Sequence, residues 1–203
     1  PIILNNGNML GTIYNDPTKQ DIGVDQSVPV KALGKEFILV EGNGTPGMEN
    51  GIIIAHYDNT VIYAGGILVD TINAGEYKLI DNSYYSGNTH KNLYVKTTEP
   101  VYMYQALAGD VSEATGGLNF IPPFSCLLPY SVGPMPSIEK IGSTSFSGAV
   151  IAFTRTGANL LVNGVLQTGG QPIAGLDSDG SGGGTSRMAG GTAGYRDADS
   201  TRL

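Results

Sequence analysis

His56 and His90 are the two histidines of this 203-residue chain, and by residue type they are its first candidates for a general base. His56 ends the apolar run Gly51-Ile-Ile-Ile-Ala-His56, which reads as a buried strand, and His90 closes the turn-rich Ser86-Gly-Asn-Thr-His90. Neither has a Gly-x-Ser-x-Gly elbow, a His-Glu-x-x-His pair or a phosphate loop beside it. A strand residue and a loop residue are therefore expected, not a catalytic base. Paired carboxylates could divide acid and base work, as in glycoside hydrolysis. Asp21 and Asp25, four apart on one face of an extended segment, could combine with Glu36 or Glu41. In an acidic chain such residues belong first to turns and surface, and the reading is that this protein is not an enzyme.

Two binding chemistries remain. Asp177-Ser-Asp179-Gly180 resembles the opening of a calcium loop, in which alternate acids offer oxygens to a hard cation. The third acid and the distal Glu are absent, so Ca2+ at Asp177 and Asp179 stands beside the plainer reading of a solvated Gly-rich loop, and no other cofactor is expected. The chain has 11 Tyr and no Trp. Tyr84 and Tyr85, in a loop with Asn82 and Asn88, form the candidate platform for a sugar or a protein. Tyr102 and Tyr104 share one strand face opposite Met103 and are expected in core or cross-strand packing. Cys126, the sole cysteine, lies among apolar residues and reads as a buried inert thiol. Asn43-Gly-Thr45 fits an N-glycosylation triplet and carries little weight.

The elements that must position these residues are strands. Short apolar runs punctuated by Gly, Asn, Asp and Pro are read at residues 36–40, 51–57, 60–64, 76–80, 92–96, 101–105, 148–154 and 159–162. Asp58-Asn59 reads as the turn of a tight hairpin from Ile52 to Ala64. Ile52-Ile53-Ile54-Ala55 is apolar on both faces and belongs inside a sheet, whereas Glu76-Tyr-Lys-Leu-Ile80 mixes polar with apolar. Only Met103 to Ser112 tempts a helical reading.

Similar phrases recur along the chain. Pro1-Ile-Ile-Leu returns as Pro100-Val-Tyr-Met, Val28-Pro29 as Ile121-Pro122, and Ile53-Ile-Ala55 through Gly65 as Val150-Ile-Ala152 through Gly164. The order and near-constant offset imply a unit of about 95 residues. The fold expected is all-β, with antiparallel sandwich-like tandem repeats; propeller blades, at about 40–45 residues each, are the alternative. The divisions expected are a first module at 1–109 that starts within a repeat, a partial second module at 110–167, and a Gly/Asp-rich loop or tail at 168–203.

Charged residues make up only 14% of the chain, and the net charge is −7, which removes the clustered Lys and Arg that a nucleic-acid backbone requires. No apolar run is long enough to span a bilayer as a helix, so this segment is not expected to insert in a membrane.

Several segments carry a resemblance. Asp21-Ile-Gly-Val-Asp-Gln26-Ser-Val-Pro29, Leu33-Gly-Lys-Glu-Phe-Ile-Leu-Val40, Ile54-Ala-His-Tyr-Asp-Asn-Thr-Val61 and Asn73-Ala-Gly-Glu-Tyr77 are four of them. Thr98-Glu-Pro-Val-Tyr-Met-Tyr-Gln105 and Leu118-Asn-Phe-Ile-Pro-Pro-Phe124 continue the pattern. Together they resemble the IgGFc-binding protein N-terminal domain family, from Pro1 to about Gly164. The version with Ile121-Pro-Pro-Phe-Ser-Cys126 and Ile138-Glu-Lys-Ile-Gly142 looks most like large Bacteroidota surface proteins exported by the type IX route, a setting associated with gliding motility. In that group Asp-Ser/Thr before an apolar residue can carry an O-linked glycan, a form that Asp70-Thr71-Ile72 has. The resemblance implies a secreted or cell-surface β module with no catalytic residues, acting in adhesion or as a scaffold. The partners expected are other protein chains of a surface assembly, reached at loops and sheet edges, or glycans of a host or surface if Tyr84, Tyr85, Asn82 and Asn88 form a carbohydrate site.

Overall fold

In the computed structural model the described residues are 4–11, 21–41, 50–87, 91–107, 117–124, 131, 140–145, 150–155, 159–168, 171–173 and 188–193. Their regular structure is all strand apart from two 3-10 turns, Val30–Ala32 and Asn82–Tyr84, and every strand pair is antiparallel. The chain divides into two compact units: Pro1–Ser125 with Ala174–Ser181, and Cys126–Ile173 with Gly182–Leu203.

The first unit begins with a ribbon of β1 (Asn5–Gly11) and β2 (Asp21–Gln26). Seven further strands make one sheet: β3 (Gly34–Val40), β4 (Gly51–Ala55), β5 (Thr60–Ala64), β6 (Ile67–Ile72), β7 (Tyr77–Ile80), β8 (Asn92–Leu107) and β9 (Gly117–Phe120). The 16-residue β8 is its spine. The first half of β8 lies between β3 (Phe37 opposite Val95) and β5 (Ala64 opposite Val95), and the second half between β4 (Ile52 opposite Tyr104) and β9 (Phe120 opposite Tyr104).

The halves meet at Thr98-Glu99-Pro100, and there the sheet creases. Pro100 has no N–H to give a ladder, which suits it to such an interruption. The register against β3 slips between Gly34 and Glu36 at the same level. Two neighbouring connections break there as well: residues 56–59 join β4 to β5, and residues 73–76 join β6 to β7. Polar groups tie the three breaks together. Val61 N–H donates to Thr98 Oγ1 (2.9 Å), Asn59 N–H to Asn73 Oδ1 (3.2 Å), Ala74 N–H to Asp58 Oδ1 (3.0 Å) and Asn73 N–H to Glu76 Oε2 (2.7 Å). The buried hydroxyls of Thr60 and Thr97 donate to the carbonyls of Tyr57 and Glu99 (both 2.8 Å).

Each half of the sheet is thus a leaf. The first holds β6, β5, the start of β8 and β3; the second holds β7, β4, the end of β8 and β9. Their inward faces make one core. Phe37, Leu39, Ile62, Ala64, Ile72, Leu93 and Val95 come from the first leaf, and Ile53, Ala55, Ile80, Val101 and Met103 from the second. Burying each large side chain is worth about 1.5–3 kcal/mol. Gly51 marks how closely the leaves approach: a Cβ built there would stand 3.1 Å from Leu39 Cδ2 of the first leaf, and 3.0 Å from Met103 Cε of its own. Gln105 Nε2 crosses between the leaves to donate to Val40 O at 2.7 Å, filling the carbonyl that β3 turns away from β8. At the β6 and β7 edges, Asp70 and Lys78 lie opposite the core residues Ile62 and Ile53, so both point inward and pair across the opening at 2.7 Å.

The second unit contains the hairpin of β10 (Lys140–Ile141) and β11 (Thr144–Ser145) and the hairpin of β13 (Leu160–Val162) and β14 (Val165–Gln167). It also holds a three-stranded sheet in which β16 (Met188–Ala193) lies between β12 (Val150–Arg155) and β15 (Gln171–Pro172).

The all-β antiparallel class and its two-layer character are as expected. One local reading changes: β4 and β5 are not a hairpin. Each pairs with β8 and they run end to end along it, because eight partner residues of β8 outweigh the turn chemistry of Asp58-Asn59. The tight hairpin lies one connection later, where Gly65 (φ 58°) and Gly66 (φ 81°) both take the left-handed backbone of a type I′ turn. Asn163 (φ 49°) and Gly164 (φ 78°) repeat that turn between β13 and β14. Beyond this shared turn the two regions differ: Ile54 has strand partners on both sides, β7 and β8, while among the described residues the strand of Ile151 pairs only with β16. A creased sheet also differs from the separate four-stranded blades of a propeller.

A candidate protein-contact face

The outward face of the second leaf follows from its register. Inward Ile53 and Met103 place Ile52, Ile54, Tyr102 and Tyr104 on the other side. Cross-strand pairing extends this into two rows. Tyr77, Ile54 and Tyr102 make one; Leu79, Ile52, Tyr104 and Phe120 make the other. All are half-buried except Tyr77, which is 66% exposed at the edge. Tyr104 and Phe120 meet edge to face, 5.6 Å between centroids. None of the seven side chains is charged, since the one Lys of β7, Lys78, points inward to Asp70.

The strand β7 also offers backbone. Among the described residues it pairs with β4 alone. Ala55 N–H donates to Glu76 O, so alternate residues Lys78 and Ile80 face β4, and the N–H and C=O groups of Tyr77 and Leu79 are directed to the side of β7 on which no strand lies among the described residues. The crease end of this face carries exposed Asp58 and Glu76, together with exposed His56 and Tyr57, whose rings meet edge to face at 4.8 Å. Exposed Asp81 stands just past the other end of β7 and caps the 3-10 turn by accepting from Ser83 N–H (2.9 Å).

The residues singled out for chemistry disperse. His56 is exposed at the crease instead of buried in a strand. Glu36 and Glu41 lie five residues apart on and just past β3, hence on opposite faces, while Asp21 and Asp25 belong to β2, which pairs only with β1 among the described residues. Asn82 and Tyr84 are half-buried on the 3-10 turn, and Tyr84 packs against the core. Tyr85 is itself a core residue, 6% exposed, so its ring is committed to packing and is not open to stack on a ligand. Thr71 is exposed on β6, beside an Asp70 that accepts the Thr71 N–H (2.8 Å) as well as Lys78. Asn88, His90, Cys126, Asp177, Asp179 and the Asn43 triplet lie outside the described residues. Among the described residues there is no cluster of His, Cys, Asp and Glu fit to hold a metal ion, and no helix long and apolar enough to cross a membrane.

Tyr102 and Tyr104 do make cross-strand contacts, but on the outward face and not in the core. The face as a whole was missed in the sequence, although its signal was present: Tyr77 and Leu79 alternate with Lys78 and Ile80, and Ile52 and Ile54 with Ile53 and Ala55.

A family model described as IgGFc binding protein matches residues 1–194, nearly the whole chain. The chain belongs to that family. No curated protein and no solved structure matches it. For an IgGFc-binding family domain, the segments that carry the resemblance do structural work: Leu33 leads from the first 3-10 turn into β3, Ile54 to Val61 and Asn73 to Tyr77 span the crease, and Thr98 to Gln105 form the bend and most of the second half of β8.

Proposed function

We propose that this chain is a non-enzymatic, extracellular protein-binding module of a bacterial surface protein, serving adhesion or scaffolding within a cell-surface assembly. The family carries the reading, because its description names a binder of protein. The uncharged, half-buried outward face of the second leaf, ending in exposed Tyr77 on a strand edge with no further strand partner among the described residues, supports protein as the ligand class, since apolar surface beside such an edge suits an interaction site. A carbohydrate platform at Tyr84 and Tyr85 is disfavoured by the burial of Tyr85. The immobilised chain, challenged with a surface-protein fraction and with a glycan array, tests this. Saturable capture that protease treatment of the fraction abolishes and periodate oxidation of its glycans leaves intact is expected. Capture that survives protease and is lost on periodate treatment, or glycan-array binding, overturns the reading.

A further inference from the structure

We infer that the outward face of the second leaf and the open edge of β7 together form a docking site for an extended protein segment with apolar or aromatic residues at alternate positions and Lys or Arg at its ends. This deepens the protein-binding reading and rests on it.

The geometry first limits the size of the occupant. Four strands about 4.8 Å apart, crossed by two residue rows about 7 Å apart, give a face of about 300 Å2. A stable interface between two folded proteins uses about 800 Å2 from each partner. The face is too small to hold a second copy of this chain by itself, and a second copy would bring its own net charge of −7. One added strand fits. The N–H and C=O groups of Tyr77 and Leu79 are spaced to bond an extended segment, whose alternate side chains would continue the row of Tyr77, Ile54 and Tyr102 and the row of Leu79, Ile52, Tyr104 and Phe120.

Charge then selects the ends of the segment. Asp58 and Glu76 stand exposed at one end of β7 and Asp81 at the other. Among the described residues of β4, β7, β9 and the second half of β8, the sole basic side chain is Lys78, which is turned inward to Asp70. A segment with acidic ends would meet carboxylates at both limits of the edge, whereas Lys or Arg there is complementary. The inward neighbours of the added strand would be Lys78 and Ile80, next to the Asp70 pair, so its inward positions suit small polar residues.

The test uses the intact chain and two fluorescein-labelled nonapeptides, Lys-Thr-Val-Thr-Tyr-Thr-Val-Thr-Lys and the same sequence ending in Glu at both sides. Anisotropy is expected to show at least about tenfold tighter binding of the Lys-ended peptide at low salt, a preference that shrinks at about 0.5 M NaCl. Hydrogen exchange should slow at the amides of Tyr77 and Leu79. Tyr77→Pro removes one outward N–H and should abolish binding, while Tyr77→Ala should weaken it several-fold yet keep the Leu79 protection. The pair Asp58→Asn and Glu76→Gln retains the acceptors that hold the crease and should remove most of the preference for Lys ends. The inference is overturned if neither peptide binds, if protection appears at β6 or β13 and β14 instead, if the chain self-associates through Tyr77, or if a folded Tyr77→Pro chain binds as the parent does. Should Tyr77→Pro not fold, Tyr77→Ala with hydrogen exchange decides. Capture of surface protein that Tyr77→Pro leaves undiminished would retain the protein-binding reading and refute this site alone.

Discussion

Replacing Gln105 by Leu isolates the bond that crosses between the leaves. Gln105 is 5% exposed and its Nε2 donates to Val40 O at 2.7 Å. Val40 turns that carbonyl away from β8, toward no strand partner among the described residues. Leu fills nearly the same volume, so packing changes little, but the buried carbonyl loses its donor. Orphaning one buried partner costs about 1–3 kcal/mol, more than the net worth of a satisfied bond. For a chain of this size that lowers the thermal midpoint by about 2–4 °C per kcal/mol, hence by about 4–8 °C for a central loss of about 2 kcal/mol. Urea titration followed by far-UV circular dichroism and tyrosine emission measures it. The control is Gln167→Leu, which removes a similar bond from Gln167 Nε2 to Val165 O (3.0 Å) at the surface of the β13–β14 hairpin. There water replaces the donor, and the change should stay within about 0.5 kcal/mol. Equal effects of the two substitutions, or a Gln105→Leu chain as stable as its parent, would refute the claim that the leaves enclose a dry interior closed by this bond.

Ile62→Ala empties a core site between the leaves and should cost about 2–5 kcal/mol in the same titration, whereas Leu166→Ala on the exposed face of β14 should cost less than about 0.5 kcal/mol. Gly66→Val forces a β-branched residue to a φ of 81°, and about 1–2 kcal/mol or more of destabilisation is expected, read as a drop in midpoint. The Asp70 carboxyl is held below its ordinary value by its bond to Lys78, and the Lys78 ammonium above its own by the same bond. A lowered acid stabilises above its unfolded pKa and loses that contribution as pH falls through the folded one; a raised base stabilises below its unfolded pKa and loses it as pH rises through the folded one. Midpoints of Asp70→Asn and parent chains should therefore differ modestly near neutrality, since the pair is solvent-exposed. They should converge in acid and again in strong base; a gap that persists at both extremes would contradict the pairing.

Much of the architecture was legible because the strands of the first unit carry their burial in their alternation. Glu36 to Val40 and Thr60 to Ala64 were read almost residue for residue, and the doubly apolar Ile52 to Ala55 does lie between two strands. The crease was not legible. Pro100 divides the spine into two apparent strands, and Asp58-Asn59 has the composition of a hairpin turn. Only the long-range partner of both strands, some forty residues later, shows that the chain bends there without reversing. The contact face was hidden for a related reason, since one tyrosine at each alternate position suits a core as well as a surface, and local pattern cannot tell which side another leaf will cover. Tyr84-Tyr85 erred in the opposite direction: its turn-rich setting implied exposure, yet a single 3-10 turn directs Tyr85 into the core. The strand β16 gives no alternating signal, because Met188-Ala-Gly-Gly-Thr-Ala193 is recruited by its pairing with β12 rather than by side-chain pattern.

The placement of β8 has a consequence for how the molecule is made. Strands β3, β4 and β5 all leave the ribosome before β8, the one segment that pairs with each of them, so the ladder to β8 waits for residue 97 in the case of β5, residue 101 for β3 and residue 105 for β4. Local pairs such as β1–β2 and β5–β6 can form early, but the sheet closes only when β8 is available, which makes for a slow, non-local search. During that interval the nascent chain carries apolar faces that β8 has yet to join, a state well suited to a holding chaperone.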